Sequence, residues 1–141
     1  MTTITKSLMA AGWLLLAGTA SAGCTFSWHH YGDNAVRDLI NPEIGAQVPD
    51  TFCPHKDRVE IVLITDALQG RDGCFGYAVG GLRKKGSAAM IPKRTSYLVN
   101  TVQCSNTEEA RRMAKDAAIS VVKDLMTNLN DEIQHLKSRS K

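Results

Sequence analysis

The pattern of apolar and polar positions predicts a small β-sheet in the middle of the chain. Arg58 to Thr65 is a run of β-branched and large apolar residues, which is the clearest strand signal in the sequence. Asp72-Gly73 is a typical reversal, and a second strand is predicted from Cys74 to Leu82. A third strand is predicted from Thr95 to Cys104, and the alternation from Cys24 to Tyr31 favours a short fourth one. We expect these three to four strands to pair as an antiparallel sheet.

One face of the second predicted strand carries only small side chains. Gly76, Ala78 and Gly80 alternate with the large residues of that strand and therefore point to the same side. A face of small residues allows another backbone to come close, and a packed helix is its simplest occupant. The helical residues expected to contact this face are Ala114, Ala117 and Ala118.

After Cys104 the apolar spacing changes to that of a long amphipathic helix. Ser105 to Glu108 matches the capping-box pattern, Asn106 is an alternative cap, and neither Gly nor Pro occurs from Thr107 to Lys141. We predict one helix over residues 105–137, roughly 45 Å long. Because a domain of this size has a radius of gyration of about 13–14 Å, the second half should overhang the sheet. The apolar residues of that half include Met126, Leu129 and Ile133.

The segment before the sheet is predicted to be an arm that contains a brief helix and a long loop. Asp33 or Asn34 can cap a helix that runs to Ile40 and ends at Asn41-Pro42. Residues 41–57 hold three prolines and little periodicity, which is typical of an ordered loop.

The first 22 residues have the pattern of an export signal. A positive start with Lys6 is followed by an apolar run from Leu8 to Gly18 and by Ala20-Ser21-Ala22, the small residues that a signal peptidase reads. The apolar run is about half as long as a bilayer span requires. We therefore expect a cleaved signal peptide at residues 1–22 and one exported α+β domain at residues 23–141. The parts of that domain are the arm (23–57), the sheet (58–104) and the long helix (105–137).

The charge balance argues against a general nucleic-acid binder. Lys6 is the only charged residue of the signal, so the remaining chain has 16 Lys and Arg residues against 14 Asp and Glu, a formal charge of +2. Proteins that bind nucleic acid through phosphate contacts need a larger excess of positive charge. After Gly23 no apolar run approaches the length of a transmembrane helix.

Four cysteines behind an export signal predict two disulfide bonds, because extracytoplasmic compartments keep such bonds oxidised. Three connectivities fit this count. We favour Cys24–Cys53 with Cys74–Cys104, because antiparallel pairing of the second and third strands would place Cys74 opposite Cys104. An additional strand at Ser87–Ile91 would remove that argument. Each bridge would close a loop of about 30 residues and stabilise the fold by roughly 3–4 kcal/mol.

Cys24 has a second interpretation. Ser21 to Cys24 has the small residues of a lipoprotein processing site, although Ser21 stands where such sites normally carry Leu. Lipidation of Cys24 would anchor the protein and leave an odd number of thiols. The cysteine spacings contain no CxxC pair, so we do not expect a zinc cluster.

The histidines suggest one alternative function, metal binding. His29 and His30 belong to a polar cluster with Asp33, and a Cys24–Cys53 bridge would bring His55 close to them. Imidazoles with a carboxylate suit copper or zinc. Adjacent residues on a strand point to opposite faces, so only one of His29 and His30 can join such a site. We favour exposed or packing roles and keep a periplasmic metal-binding protein as the alternative, with His30 and His55 as its candidate ligands.

The sequence contains no recognisable catalytic or cofactor-binding motif. G-x-S-x-G is absent, the oxidised cysteines are not nucleophiles, and the glycines of the second strand do not match a phosphate-binding loop. We expect a protein that is not an enzyme and binds no cofactor. A small hydrolase with an unrecognised site is a further alternative.

The loop between the second and third strands concentrates positive charge. There is no Asp or Glu between Gly73 and Thr107, whereas five basic residues occur there: Arg83, Lys84, Lys85, Lys93 and Arg94. These charges should gather at one end of the sheet if the flanking strands pair. One interpretation is a loop that protects strand edges. The other is an electrostatic docking site for an acidic protein face, lipopolysaccharide or another envelope anion.

These features favour an exported bacterial module, periplasmic or secreted, that binds another envelope or secreted macromolecule. Inhibitors, immunity-type proteins and accessory parts of envelope or secretion machines fit this description. We assign the electrostatic part of the binding site to the five basic residues of the loop.

Overall fold

The computed structural model of the protein describes residues 23–88, 94–100, 104 and 106–138, with residues 94–100 described by their backbone. Within these residues four strands form a sheet: β1 (Trp28–Tyr31), β2 (Val59–Gly70), β3 (Gly73–Lys84) and β4 (Arg94–Asn100). The helices are α1 (Asn34–Ile44), α2 (Thr107–Thr127) and α3 (Leu129–Ser138). Two 3₁₀ turns follow α1, at Gly45–Gln47 and Asp50–His55. The predicted α+β class is confirmed.

The sheet has the order β1-β2-β3-β4 and is mixed. β2 pairs antiparallel with β3, and β3 with β4, as the sequence predicts. β1 instead runs parallel to β2, with Trp28 opposite Ile61. The connection between these two strands contains α1 and both 3₁₀ turns, which makes it long enough for the crossover that parallel strands need. The prediction of antiparallel pairing therefore holds for β2, β3 and β4 and differs at β1.

Helix α2 lies directly on the face of small residues of β3. A Cβ atom added to Gly76 would collide with the backbone nitrogen of Ala114 in α2. One added to Gly80 would come within 2.5 Å of Val121 Cγ1. Ala78, between the two glycines, is completely buried. The close contact between sheet and helix that the small residues predict is therefore confirmed.

The C-terminal helix is in two pieces because Asn128 interrupts it. The backbone of Asn128 leaves the helical region (φ −108°, ψ 25°), and its side-chain amide donates to Asp124 O at 2.9 Å. Asparagine competes for backbone carbonyls in this way and favours helix ends. The residues expected to overhang are instead part of the core, since Met126, Leu129 and Ile133 are at most 8% exposed. The prediction of one uninterrupted, overhanging helix was wrong.

Helix α1 continues past the proline that was expected to end it. It extends to Ile44 and includes Pro42, whose ring is exposed. Val36, Ile40 and Ile44 recur every fourth residue and are all buried in the core. Burial of this apolar stripe favours continuation of the helix and offsets the cost of the missing proline N–H.

Side-chain caps fix where the helices begin. Asp33 caps α1 by accepting a hydrogen bond from Ala35 N at 2.9 Å, and it also accepts one from Arg111 Nε of α2 at 2.7 Å. These two donors lower the pKa of Asp33. Asn106 caps α2 by accepting from Glu109 N at 2.9 Å. Of the two caps expected for that helix, Asn106 is the one used, and Ser105 lies outside the described residues.

The structure contains two disulfide bonds, Cys24–Cys53 and Cys74–Cys104, with Cα–Cα distances of 5.8 and 5.3 Å. This is the pairing that the sequence favours, but the expected strand register was wrong. Cys74 lies opposite Asn100, so Cys104 is beyond the end of β4. The bridge therefore joins the start of β3 to the segment that leads into α2, because β4 ends at Asn100, four residues before Cys104.

A basic cleft as the candidate functional site

Arg83 does not belong to an exposed basic patch, which corrects the sequence interpretation of this residue. Its Nε atom donates to Glu60 Oε1 at 2.5 Å, and the two side chains are 9% and 6% exposed. Its NH1 group donates to Tyr31 Oη at 3.2 Å. The hydrogen bond to Glu60 and, second, the one to Tyr31 raise the pKa of Arg83. A buried, paired guanidinium offers no charge to a partner.

The register of the sheet explains why Arg83 is paired. Glu60 of β2 and Arg83 of β3 are directly opposite each other, and opposite charges on facing positions attract. The second carboxylate oxygen of Glu60 lies 2.9 Å from His29 Nε2 of the neighbouring strand β1. Glu60 is thus held from two sides, and the cluster joins three strands.

Of the other residues in the predicted patch, Lys84 and Lys85 are exposed at the end of β3. Lys93 lies outside the described residues. Arg94 begins β4, and its backbone pairs with Gly80, which is four residues before Lys84. At about 3.3 Å per residue, that register puts the backbone of Arg94 roughly 13 Å from the end of β3. The structure therefore places two of the five residues together at the strand end.

A cleft of about 490 Å³ opens next to these two lysines. Its floor is apolar and consists of Val59, Ile133 and Leu136. Around this floor are four cationic side chains from three separate segments: Arg58, Lys84, Lys85 and Lys137. We call this feature the basic cleft. Arg58 and Lys137 are far from the two lysines in the chain, so the charge pattern of the sequence does not indicate that they belong to the cleft.

Strand pairing and the core position the walls of the basic cleft. Val59 lies opposite Lys84 at the last pair of the β2–β3 ladder, and Lys85 N donates to Arg58 O at 2.9 Å. Arg58 and the two lysines are therefore adjacent by register. On the other side, Ile133 is anchored in the core, and Lys137 follows one turn later on α3.

The lining of the basic cleft is strongly positive. Its four cations are accompanied by a single carboxylate, Asp57, which gives a formal charge of +3 with His55 neutral. Asp57 is itself paired with Lys56, whose Nζ lies 3.0 Å from its Oδ1. The formal net charge of the whole chain is also +3. The net charge of this one cleft therefore equals that of the entire protein. Such a concentration attracts anions over several ångströms in water.

His30 and His55, the candidate ligands of the metal-binding alternative, have different surroundings in the structure. His29 faces Glu60, whereas the side chain of His30 is on the other side of β1 and lies 2.7 Å from Thr65 Oγ1. Burial, aided by the positive charge of Arg37, lowers the pKa of His30, and Asp33 opposes this effect. His55 lines the basic cleft.

Across the described part of the chain, no three His, Cys, Asp or Glu side chains come close enough to hold a metal ion. The metal-binding hypothesis therefore finds no donor set there.

No known family model, curated protein or solved structure matches the chain. None of the helices in the described residues has both the length and the apolar character needed to cross a membrane. The two disulfide bonds are typical of proteins outside the cytoplasm. Lipidation of Cys24 would use the same sulfur atom that bonds Cys53, so the lipoprotein alternative and this bridge exclude each other.

Proposed function

We propose that the protein is an exported, non-enzymatic binding module that docks through its basic cleft on an acidic surface of another macromolecule. The observation that carries this proposal is the cleft itself, in which four cations and one carboxylate surround an apolar floor. The two disulfide bonds support a periplasmic or secreted location. The bridges stabilise the scaffold that presents the cleft, and the buried Arg83–Glu60 pair joins two of its strands.

Charge attraction at such a cleft acts mainly on the rate of association. The charge-reversal variant Lys84→Glu/Lys85→Glu should therefore bind a partner more slowly than the wild type does. Both lysines are exposed at the strand end, so their replacement should change the free energy of unfolding by no more than about 0.5 kcal/mol.

A matched control is available elsewhere on the surface. Arg71, in the turn between β2 and β3, and Lys123, on α2, are exposed and lie outside the cleft lining. The variant Arg71→Glu/Lys123→Glu has the same net charge as the cleft variant, so it separates the effect of the cleft from that of overall charge.

The experiment is affinity capture from a bacterial envelope extract with the wild type, the cleft variant and the control variant as bait. We expect a partner that the wild type and the control retain and the cleft variant loses, and its association with the wild type should slow as salt is added. Identical retention by all three proteins, or association that does not respond to salt, would contradict the proposal.

A further inference from the structure

The basic cleft combines an apolar surface with a cationic one, and a ligand that uses both surfaces must be amphipathic. Its floor is apolar, and its rim is cationic on both sides. We infer that the cleft receives an acidic segment of a partner protein, with one apolar side chain on the floor and carboxylates facing the surrounding lysines and Arg58. This inference rests on the proposed function and specifies the chemistry of the partner.

The floor selects an apolar side chain. Val59 and Ile133 are anchored in the core and only 7% and 6% exposed, yet both line the cleft beside the half-buried Leu136. A protein interface of this kind has an apolar centre that excludes water and a polar rim. A cleft of about 490 Å³ is within the size range of sites for small ligands. It therefore suits a short segment better than a broad flat surface.

The rim favours carboxylates over phosphates. Three of its four cations are lysines, which act as point charges and impose no bidentate geometry on the anion they meet. The helix that borders the cleft does so with its last turn, where Leu136 and Lys137 are. The carbonyl end of a helix carries partial negative charge and disfavours a doubly charged anion.

The spacing of the cations also fits a peptide. Arg58, Lys84 and Lys85 are neighbours where β2 begins and β3 ends, and Lys137 comes from the end of α3, so the cations lie on two sides of the floor. Single carboxylates spread along an extended segment can each approach a different cation. A phosphorylated lipid would place its charge in one headgroup and would require space for an acyl chain, which a floor of three side chains does not provide.

The test is direct binding of labelled peptides to the exported, disulfide-bonded protein at low salt. One probe is a short peptide with a central leucine flanked by aspartate and glutamate, and the second has serine in place of that leucine. We expect the leucine peptide to bind about tenfold more tightly, because burial of one leucine side chain contributes that much or more. Its affinity should also fall about tenfold or more in Lys84→Glu/Lys85→Glu and should be unchanged in Arg71→Glu/Lys123→Glu.

Vesicles of phosphatidylglycerol, with phosphatidylcholine vesicles as the reference, provide the third probe. If they bind through Lys84 and Lys85 while neither peptide does, the inference about the partner is wrong, and the proposed docking of the basic cleft on an acidic surface survives. Equal affinity for the leucine and serine peptides would also overturn the inference, since the floor would then have no role. If the cleft variant binds every probe as the wild type does, both proposals fail.

Discussion

Glu60 Oε1 accepts a hydrogen bond from Arg83 Nε at 2.5 Å, at a position where both side chains are almost fully shielded from solvent. Tyr31 contacts the guanidinium of Arg83, and His29 contacts the carboxylate of Glu60. Removal of a charged pair from water is costly, and the pair gains stability only when its remaining hydrogen bonds are satisfied. Tyr31 and His29 supply two such additional contacts, so the cluster links β1, β2 and β3.

Replacement of Arg83 alone should therefore destabilise the fold strongly. Arg83→Met would leave the carboxylate of Glu60 buried without its guanidinium, and the expected loss in the free energy of unfolding is about 3–5 kcal/mol. The double variant Arg83→Met/Glu60→Leu removes both charges and should recover most of that loss. Urea unfolding followed by circular dichroism measures both values. A single variant within about 1 kcal/mol of the wild type would mean that the pair is not buried in solution.

The sequence is sufficient to predict most of the fold, because hydrophobic period and turn chemistry are local. The strands β2 and β3, the reversal at Asp72-Gly73 and the helical period of α2 all follow from neighbouring residues. Two features do not. Continuation of α1 through Pro42 depends on burial of Ile44 in the core, so tertiary burial outweighs local propensity there. The break at Asn128 depends on one side-chain amide that donates to a carbonyl of the preceding turn, and the apolar spacing continues across it.

The candidate site was only partly accessible from the sequence because it depends on register. A two-residue turn at Arg71-Asp72 places position 60 opposite 83 and position 59 opposite 84. Once this turn is known, counting back along both strands pairs Glu60 with Arg83 and places Arg58 next to the lysines. Lys137 is different: it reaches the cleft only because α3 packs on the core, and no local pattern indicates this contact.

The contact between β3 and α2 predicts a strong effect of a single methyl group. In Gly76→Ala the new Cβ would collide with the backbone of α2 at Ala114, which cannot move like a flexible side chain. We expect a loss of about 1–3 kcal/mol in the free energy of unfolding, as for other overpacked cores.

Gly45→Ala is the matched control for this methyl group, because nothing lies within 4 Å of the added Cβ and its φ of −60° is helical. It should be neutral or stabilising by up to about 1 kcal/mol. Chemical denaturation measures the free energy of unfolding of Gly76→Ala and Gly45→Ala. Equal values for the two variants would contradict the close approach of α2 to β3.

The disulfide bonds should contribute a large share of the stability. Each closes a loop of 29 or 30 residues, for which the chain-entropy relation gives roughly 3–4 kcal/mol. Reduction should therefore lower the melting temperature by well over ten degrees, at about 4–8 °C per kcal/mol. Calorimetry with and without dithiothreitol measures this change, and thiol counting of the exported protein checks the starting state. Four free thiols in protein taken from the periplasm would contradict the disulfide framework.

The environment of His30 predicts that acidification destabilises the fold. Its side chain is half-buried beside Thr65, and burial together with the charge of Arg37 lowers its pKa below the ordinary 6.5, against the opposing charge of Asp33. The unfolded chain therefore binds a proton more readily than the folded protein does. By linkage, the stability of the fold rises with pH in this range. The contribution from His30 is fully present above the unfolded pKa and decreases as the pH falls below it.

Urea titrations at a series of pH values between about 7.5 and 5 test this dependence. His30→Gln keeps a hydrogen-bonding side chain next to Thr65 but cannot titrate, so its stability should fall less on acidification than that of the wild type. His135 is exposed on α3, and His135→Gln should retain the wild-type dependence. If His30→Gln and the wild type lose stability in parallel, the proton is taken up elsewhere, and the half-buried imidazole of His30 is not the cause of the acid sensitivity.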